Sequence, residues 1–188
     1  LASADTALLI PDLVAHLLTG ARVAERTNAS TTGLLPVDGS DWDRELAALL
    51  GIPERLLPPL VDPGERLGVL GGAASERIGD AVPVIAVGSH DTASAVAATP
   101  LSGPGSAYIS CGTWGLVGLE LPEPVLSEAA RDAGFTNERG VDGRIRFLHN
   151  VTGLWLLSET VRAWEQADGA AIDLGALLAE AGAVAEVV

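Results

Sequence analysis

A run of apolar residues followed at once by a polar turn constrains the fold of this chain more than any other feature. Residues 82–88 read VPVIAVG, without the alternation of polar and apolar positions found in half-exposed strands. Such a run is typical of a strand that is covered on both faces. The next segment, 91–98, reads DTASAVAA and is rich in small residues that helices accept. The order predicts strand, tight turn and helix, with Ser89, His90 and Asp91 in the turn.

Other segments of the first half predict helices and a long connection. Residues 11–20, PDLVAHLLTG, predict a short helix with Pro11 in its first turn. Residues 40–51, SDWDRELAALLG, predict a second helix capped by Ser40. The apolar faces would hold Leu13, Val14, Leu17 and Leu18 in the first helix, and Trp42, Leu46, Leu49 and Leu50 in the second. The proline-rich run 51–72 has too many breaks for regular structure beyond one helical turn.

The second half predicts strands followed by helices. It begins after a joint rich in glycine and proline at 99–105, which is the candidate domain boundary. Two strands around a tight turn, a third strand and a helix are expected at 106–110, 114–121, 144–150 and 153–167. Arg144 and Arg146 alternate with apolar residues, so both are expected on a solvated face. Trp155 and Trp164 are expected in the core, and the alanine-rich tail 168–188 is expected to be helical.

The charge balance excludes several classes of function. The chain carries 25 acidic residues against 11 lysines and arginines, a net charge of −14, and none of the 11 is a lysine. Broad binding to the phosphate backbone of nucleic acid is therefore not expected. Walker-type phosphate loops and Schiff-base chemistry both need a lysine. The 48% hydrophobic content supplies a sizeable core for one domain or two small ones in 188 residues.

Cysteine usage and the chain ends indicate an intracellular fragment. Cys111 is the only cysteine, so no internal disulfide can form, and the histidines show no zinc-site spacing with it. The sequence has no leader and no apolar stretch of bilayer length, which predicts a cytoplasmic protein without membrane contact. It contains no methionine and begins and ends inside apolar segments. We therefore expect a piece of a longer protein.

The turn after the strand at 82–88 holds the strongest candidate for chemistry. Asp91 could act as a general base, because a carboxylate at the end of a buried strand is fixed and partly desolvated, which raises its proton affinity. Asp91 could instead cap the following helix by satisfying its free N–H groups. The residues of this turn alone favour the capping interpretation and leave both open.

Two further places could bind a ligand. Gly112 permits close backbone approach to an anion and Thr113 adds a hydroxyl donor, although a hairpin turn with a buried Cys111 explains the same residues. Asn150 could frame a ligand edge with Ser158, or it could simply cap the helix that follows. The spacing does not favour a cysteine nucleophile, and the G-x-S-x-G elbow of serine hydrolases does not occur.

Taken in order, five segments resemble the FGGY family of carbohydrate kinases, and within it the branch that acts on L-rhamnulose. They read IPDLVAHLLTG, TNAST, GSHDTASAVAA, SCGTWGLVGLEL and FTNERGVDGRIRFLHNVTGLWLL. They cover nearly all of this chain but only a central slice of the family's proteins. The resemblance implies an α/β fold of the actin-like ATPase (ribonuclease H-like) class, with ATP in the cleft between two lobes. Residues 1–99 would complete the first, sugar-binding lobe, and 100–188 would begin the second, nucleotide-binding lobe.

The resemblance also implies a reaction and its residues. Asp91 would be the catalytic base that takes the proton of the sugar's 1-hydroxyl as this hydroxyl attacks the γ-phosphate of ATP, which binds with Mg²⁺. His90 and Thr92 would contact the sugar beside Asp91. The nucleotide would be contacted by Thr113, Asn150 and Ser158.

Four positions depart from the branch, and two alternatives stay open. The departures are Gly115 for serine, Arg139 for a small residue, His149 for lysine and Ser158 for glutamine, and the last weakens the nucleotide role of Ser158. The family's first phosphate-binding loop and its glycine-rich adenine segment are not found in this sequence. We therefore expect the 188-residue piece alone to lack kinase activity. The alternatives are an FGGY kinase for another sugar, such as xylulose or fuculose, and a truncated, non-catalytic sugar- or nucleotide-binding protein.

Overall fold

The computed structural model of the protein describes residues 3–103 and 105–185. The helices are α1 Ile10–Thr19, α2 Arg26–Ala29, α3 Arg44–Leu49, α4 Gly72–Ile78, α5 Asp91–Ala98, α6 Glu128–Asp132, α7 Trp155–Asp168 and α8 Leu174–Gly182. The strands are β1 Ala24–Glu25, β2 Leu60–Val61, β3 Arg66–Val69, β4 Pro83–Ile85, β5 Ala107–Cys111, β6 Trp114–Leu121, β7 Phe135–Arg139 and β8 Ile145–Thr152. Single 3-10 turns occur at Ser30–Thr32, Glu54–Leu56 and Val141–Gly143. Pro104 in the predicted joint and residues 186–188 of the predicted helical tail lie outside the described residues.

The chain divides into two compact units. The first consists of the residues up to Ser110 together with Leu116–His149, and the second consists of Cys111–Gly115 and the residues from Asn150 onward. Two-stranded sheets, β1–β2 and β3–β4, lie in the first unit, as does most of a four-stranded sheet with the order β5–β6–β8–β7. The boundary between lobes near residue 99 stays a prediction.

The strand, turn and helix predicted from residues 82–98 form in that order, but the strand is exposed. β4 pairs antiparallel with β3, with Val69 opposite Pro83. Ile85 and Val87 are exposed. The expectation of a strand covered on both faces is therefore wrong, because a two-stranded sheet gives β4 a single strand neighbour among the described residues.

Helix α1 has the predicted ends but buries a different face. Pro11 lies in the first turn, and Gly20 ends the helix with a left-handed φ of 79°. The helix packs against β3 and β4 through the face that carries Asp12, Ala15, His16 and Thr19. The predicted apolar face is wrong for three of its four residues, Leu13, Val14 and Leu17, which are exposed. The apolar pattern predicted the wrong face because the buried face of α1 carries the carboxylate of Asp12.

Helix α3 starts later than predicted. The Asp43 carboxylate accepts a hydrogen bond from the N–H of Leu46 at 2.8 Å and is the N-cap. The predicted cap, Ser40, instead hydrogen-bonds to Asp38 through its N–H at 3.0 Å and its hydroxyl at 2.9 Å. Ser40 is wrong as the cap because a local turn with Asp38 uses its polar groups.

The core beside α3 gathers around Trp42, which is buried as predicted. The indole N–H of Trp42 donates to the carbonyl of Pro58 at 2.6 Å. The same cluster contains Ala24, Ala29 and Leu35. Leu49 and Leu50 were expected in the core, but they are exposed because α3 packs through Ala47. The connection 51–72 is also more regular than predicted, since β2 and β3 form within it and β2 pairs in parallel with β1.

The strands predicted in the second half are confirmed as β5, β6 and β8, and β7 is an additional strand beside β8. β7 and β8 pair antiparallel, with Phe135 opposite His149. The ring of Phe135 stacks on that of Phe147, with centroids 4.7 Å apart. Arg144 is partly exposed and lies 3.6 Å from Glu120. Arg146 was expected on the solvated face, but it is fully buried because a carboxylate of β7 compensates its charge.

The second unit contains the two C-terminal helices. α7 and α8 confirm the helices predicted there, but neither buries a residue in the described part of the chain. Trp155 and Trp164 were expected in the core and are instead exposed. The prediction failed because apolar spacing within a helix does not identify an element that covers it. Among residues 3–103 and 105–185, no helix is long and apolar enough to cross a membrane.

Candidate functional site

The polar turn before α5 presents Asp91 as an accessible carboxylate. His90 is the N-cap residue of α5 and Asp91 is the first residue of the helix, so Asp91 is not the cap. Its Oδ1 accepts hydrogen bonds from the N–H of Thr92 at 2.6 Å and from the Thr92 hydroxyl at 3.3 Å. Both bonds engage the same oxygen. Oδ2 therefore has no partner in the described part of the chain and remains available to accept a proton.

The surroundings of Asp91 and Thr92 differ from the expectation. The Asp91 side chain is 97% exposed, so the predicted partial desolvation is wrong. Thr92 is buried, and its two hydrogen bonds hold one carboxylate oxygen in place. Orientation of Asp91 in this structure comes from hydrogen bonds and not from burial.

His90 is held beside Asp91 as a neutral ring. Its Nδ1 lies 3.5 Å from Asp91 Oδ1, and its Nε2 lies 4.0 Å from Glu138 Oε2. Burial lowers the pKa of His90 below its ordinary value of 6.5, and the positive charge of Arg146 lowers it further. The imidazole is therefore uncharged at neutral pH and can donate one hydrogen bond and accept another.

A buried ion pair lies next to His90, and sequence reasoning missed it. The Arg146 guanidinium donates to Glu138 Oε2 at 2.8 Å and to the carbonyl of Arg139 at 3.3 Å. An alternating strand pattern places an arginine on one face or the other but does not indicate a partner for it. The partner lies on β7, which was not predicted. This strand, FTNER, lies in one of the segments that carry the family resemblance. The resemblance was therefore the signal from which the strand could have been predicted.

A second buried carboxylate reaches the same turn and was also missed. Glu25 is 3% exposed, and its Oε2 accepts hydrogen bonds from the N–H and the hydroxyl of Ser89, each at 2.8 Å. Asp12, equally buried, accepts a hydrogen bond from the N–H of Glu25 at 3.0 Å. Burial and the negative charge of Glu25 raise the pKa of Asp12 to about 6, against the effect of that hydrogen bond. Glu25 lies two residues before TNAST, one of the segments that carry the resemblance.

The three residues predicted to contact nucleotide all belong to the second unit. Thr113 lies in the turn between β5 and β6 and is exposed. The carbonyls of Gly112 and Thr113 accept hydrogen bonds from the N–H groups of Leu154 and Trp155 at 3.0 and 3.3 Å. This turn is therefore fixed to the start of α7.

Asn150 and Ser158 are both exposed in that unit. Asn150 was expected to cap α7 if it had no ligand role, but β8 continues through Thr152 and α7 begins at Trp155. The capping interpretation of Asn150 is therefore wrong. The Ser158 hydroxyl donates to the carbonyl of Leu154 at 3.1 Å, a bond within the helix that leaves the oxygen able to accept another.

The six predicted site residues divide between the two units. His90, Asp91 and Thr92 lie in the first unit, and Thr113, Asn150 and Ser158 lie in the second. Each predicted trio therefore lies within a single unit. Within residues 3–103 and 105–185, no group of three or more histidine, cysteine, aspartate or glutamate side chains could hold a metal ion.

Comparison with known proteins gives two kinds of likeness. The chain is 46% identical over 177 residues to the rhamnulokinase of Pectobacterium carotovorum subsp. carotovorum, covering 94% of this chain and 34% of that protein. It is 46% identical over 163 residues to the rhamnulokinase of Enterococcus faecalis, covering 86% of this chain and 33% of that protein. The chain therefore spans about a third of the length of these relatives. The ligand-bound xylulose kinase of Lactobacillus acidophilus matches with a TM-score of 0.68 at 20% identity, over 88% of this chain and 32% of that one.

The family assignment rests on two models that follow one another along the sequence. The N-terminal domain of the FGGY family of carbohydrate kinases matches residues 1–98, and the C-terminal domain of the same family matches residues 107–188. The structural likeness confirms the expected α/β fold of the actin-like ATPase class. The chain belongs to the FGGY family of carbohydrate kinases.

Proposed function

We propose that this chain is part of an ATP-dependent kinase that converts L-rhamnulose to L-rhamnulose 1-phosphate in the cytoplasm. The family assignment and the 46% identity to two rhamnulokinases support this reaction. The chain spans about a third of those relatives, so the activity is proposed for the longer protein that carries it. The observation that carries the proposal is the accessible Oδ2 of Asp91, at the position where the resemblance puts the catalytic base.

In this proposal Asp91 is the general base. The sugar's 1-hydroxyl attacks the γ-phosphorus of ATP, the bond from that phosphorus to the bridging oxygen breaks, and ADP leaves with the electron pair. The hydroxyl proton passes to Asp91 Oδ2, while the two hydrogen bonds from Thr92 keep Oδ1 fixed. A positioned base of this kind contributes roughly a hundredfold to ten-thousandfold to the rate. The neutral ring of His90 is placed to hydrogen-bond a sugar hydroxyl beside it.

We assign the nucleotide to Thr113, Asn150 and Ser158. Their exposed hydroxyl and amide groups can bond to phosphate and ribose oxygens without adding charge. Mg²⁺ bound with ATP would neutralise negative charge on the phosphates. This acidic chain has no lysine and supplies little positive charge of its own for that purpose. Residues 1–99 and 100–188 belong to the sugar-binding and nucleotide-binding lobes in this proposal, a division that the family matches at 1–98 and 107–188 support.

The test replaces the base in the full-length protein. Asp91→Asn keeps the size and the Thr92 contact but removes the proton acceptor, so we expect kcat with L-rhamnulose to fall at least about a hundredfold while ADP affinity stays within about twofold. Release of ADP in a coupled assay gives the rate, and calorimetry gives the affinity. The matched control is Asp132→Asn, which alters an exposed carboxylate at the end of α6 and should leave kcat unchanged.

Three results would contradict the proposal, each at a different point. Retained turnover in Asp91→Asn removes the assigned base. A panel of L-rhamnulose, xylulose and fuculose, compared by kcat/KM, decides the sugar, and a preference for either of the last two would replace L-rhamnulose while keeping a kinase of this family. An intact protein that binds sugar and ATP but transfers no phosphate would favour a non-catalytic binding protein.

A further inference from the structure

Glu25 accepts four hydrogen bonds, one at Oε1 and three at Oε2. Its Oε1 accepts the N–H of Thr27 at 2.8 Å, which caps the short helix α2. Its Oε2 accepts the Thr27 hydroxyl at 2.5 Å and both the N–H and the hydroxyl of Ser89 at 2.8 Å. One oxygen therefore serves its own helix, while the other reaches a residue 64 positions later in the chain.

Thr27 extends this contact to the next residue of the turn. Its hydroxyl donates to Glu25 and accepts the N–H of His90 at 3.2 Å. The backbone N–H groups of Ser89 and His90 are thus both bound by the pair Glu25 and Thr27. These are the two residues that directly precede Asp91, so the pair fixes the backbone from which the Asp91 side chain projects.

Glu25 is buried, so its hydrogen bonds must replace the water that its carboxylate would bind in solution. The side chain is 3% exposed, and an ionised carboxylate in such a place is tolerated only when hydrogen bonds replace its water. Four donors do so here. Glutamine has the same shape, but its NH₂ group would face a donor whichever way the amide is turned, since both carboxylate oxygens accept.

We propose that Glu25 is a positioning residue for the catalytic turn, acting through Ser89 and, with Thr27, through His90. This inference rests on the proposed role of Asp91 as the base. Asp91 itself is exposed, and its only hydrogen bonds in the described part of the chain come from the adjacent Thr92, so its position follows the backbone of the turn. A displacement of about 1 Å can reduce a rate by about a hundredfold.

The experiment uses Glu25→Gln in the full-length protein. We expect kcat with L-rhamnulose to fall about tenfold to a hundredfold and KM for MgATP to stay within about twofold, because the nucleotide residues lie in the other unit. Amide hydrogen exchange supplies a readout that does not depend on activity. The amides of Ser89 and His90 should exchange at least about tenfold faster in the variant.

The matched control is Asp12→Asn. Asp12 is a buried carboxylate like Glu25, but its hydrogen bond goes to the N–H of Glu25 and not to the turn. Asparagine retains an oxygen that can accept this bond. We expect kcat and the exchange of the Ser89 and His90 amides to stay within about twofold of the original protein.

A second variant keeps the test decisive if Glu25→Gln folds poorly. Ser89→Ala removes one donor to Glu25 and keeps the other, so kcat should fall about twofold to tenfold. The combined variant should lose less than the product of the two single losses, because the two side chains share one contact.

The outcomes separate this inference from the proposed function. Unchanged kcat and unchanged amide exchange in Glu25→Gln, alongside loss of turnover in Asp91→Asn, would overturn the positioning role and leave the base assignment intact. Multiplicative losses in the double variant would overturn it as well. Retained turnover in Asp91→Asn would overturn the proposed function, and the inference with it, whatever Glu25→Gln does.

Discussion

At the scale of single residues, Asp12 is the carboxyl whose environment is least favourable to its charge. It is buried, and its Oδ2 has no hydrogen-bond partner in the described part of the chain. Its pKa is raised from 3.8 to about 6. Between pH 3.8 and about pH 6, the folded protein therefore keeps a proton on Asp12 that the unfolded chain has released. The free energy of unfolding therefore falls by about 3 kcal/mol as the pH rises from about 4 to 6, because each pKa unit corresponds to about 1.36 kcal/mol.

Asp12→Asn should remove this pH dependence. The variant keeps an acceptor for the N–H of Glu25 but carries no charge, so its free energy of unfolding at pH 8 should exceed that of the original protein by up to about 3 kcal/mol. The difference should vanish near pH 4. Urea unfolding at both pH values measures it, with the exposed Asp132→Asn as the control. A variant that is less stable at pH 8 would contradict the prediction.

The sequence points to candidate site residues that share one local motif, but it does not point to buried charges. Asp91, His90 and Thr92 are candidates because a recognisable turn motif contains them. Glu25 and Arg146 were missed because a buried charge is tolerated only through its partners, which a local pattern does not identify. Ser89 lies 64 residues from Glu25, and Glu138 lies on the strand that pairs with that of Arg146. Local patterns assigned Arg146 to the solvent because they contain no information about Glu138.

At the scale of elements, the pairing of β6 with β8 depends on a residue without a side chain. A Cβ atom built on Gly118 would lie 2.8 Å from the carbonyl oxygen of Phe147, and equally close to Leu148 Cβ and Tyr108 Oη. Two of these atoms belong to the neighbouring strand and cannot move without disturbing the sheet. The glycine is therefore needed for close approach and not for a turn, since its φ is not positive.

Gly118→Ala should destabilise the protein by about 1–3 kcal/mol, the usual cost of forcing an extra methyl into a packed site. The control is the same change at Gly182, the last residue of α8, where nothing stands within 4 Å of the added Cβ. Gly182→Ala should leave stability unchanged or raise it by up to about 1 kcal/mol. Equal thermal midpoints for the two variants would contradict the role of Gly118.

The positions of several elements could be predicted from the sequence, but their burial could not. Helices α1, α5 and α7 and strands β5, β6 and β8 occur where proline, glycine and apolar patterns indicated them. β7 was missed because FTNER is mostly polar and gains its apolar contact from Phe147 on β8. The predicted buried faces of α1 and β4 were wrong because burial depends on which neighbouring element covers a face. A local sequence pattern does not identify that element.

At the scale of the whole molecule, the assignment of sugar and nucleotide to different units has a kinetic consequence. His90, predicted to contact sugar, and Thr113, predicted to contact nucleotide, lie in separate compact units. If both act in the proposed reaction, their substitutions should affect different Michaelis constants.

We therefore predict a crossed pattern in the full-length protein. Thr113→Val removes the hydroxyl donor and keeps a side chain of about the same size. KM for MgATP should therefore rise about twofold to tenfold, which is the effect of losing one hydrogen bond, while KM for L-rhamnulose stays unchanged. His90→Asn should raise KM for L-rhamnulose by a similar factor or more and leave KM for MgATP unchanged. Initial rates with each substrate varied in turn measure both constants. Equal effects of either variant on both constants would contradict the division, because a residue confined to one ligand has no direct contact through which to weaken the other.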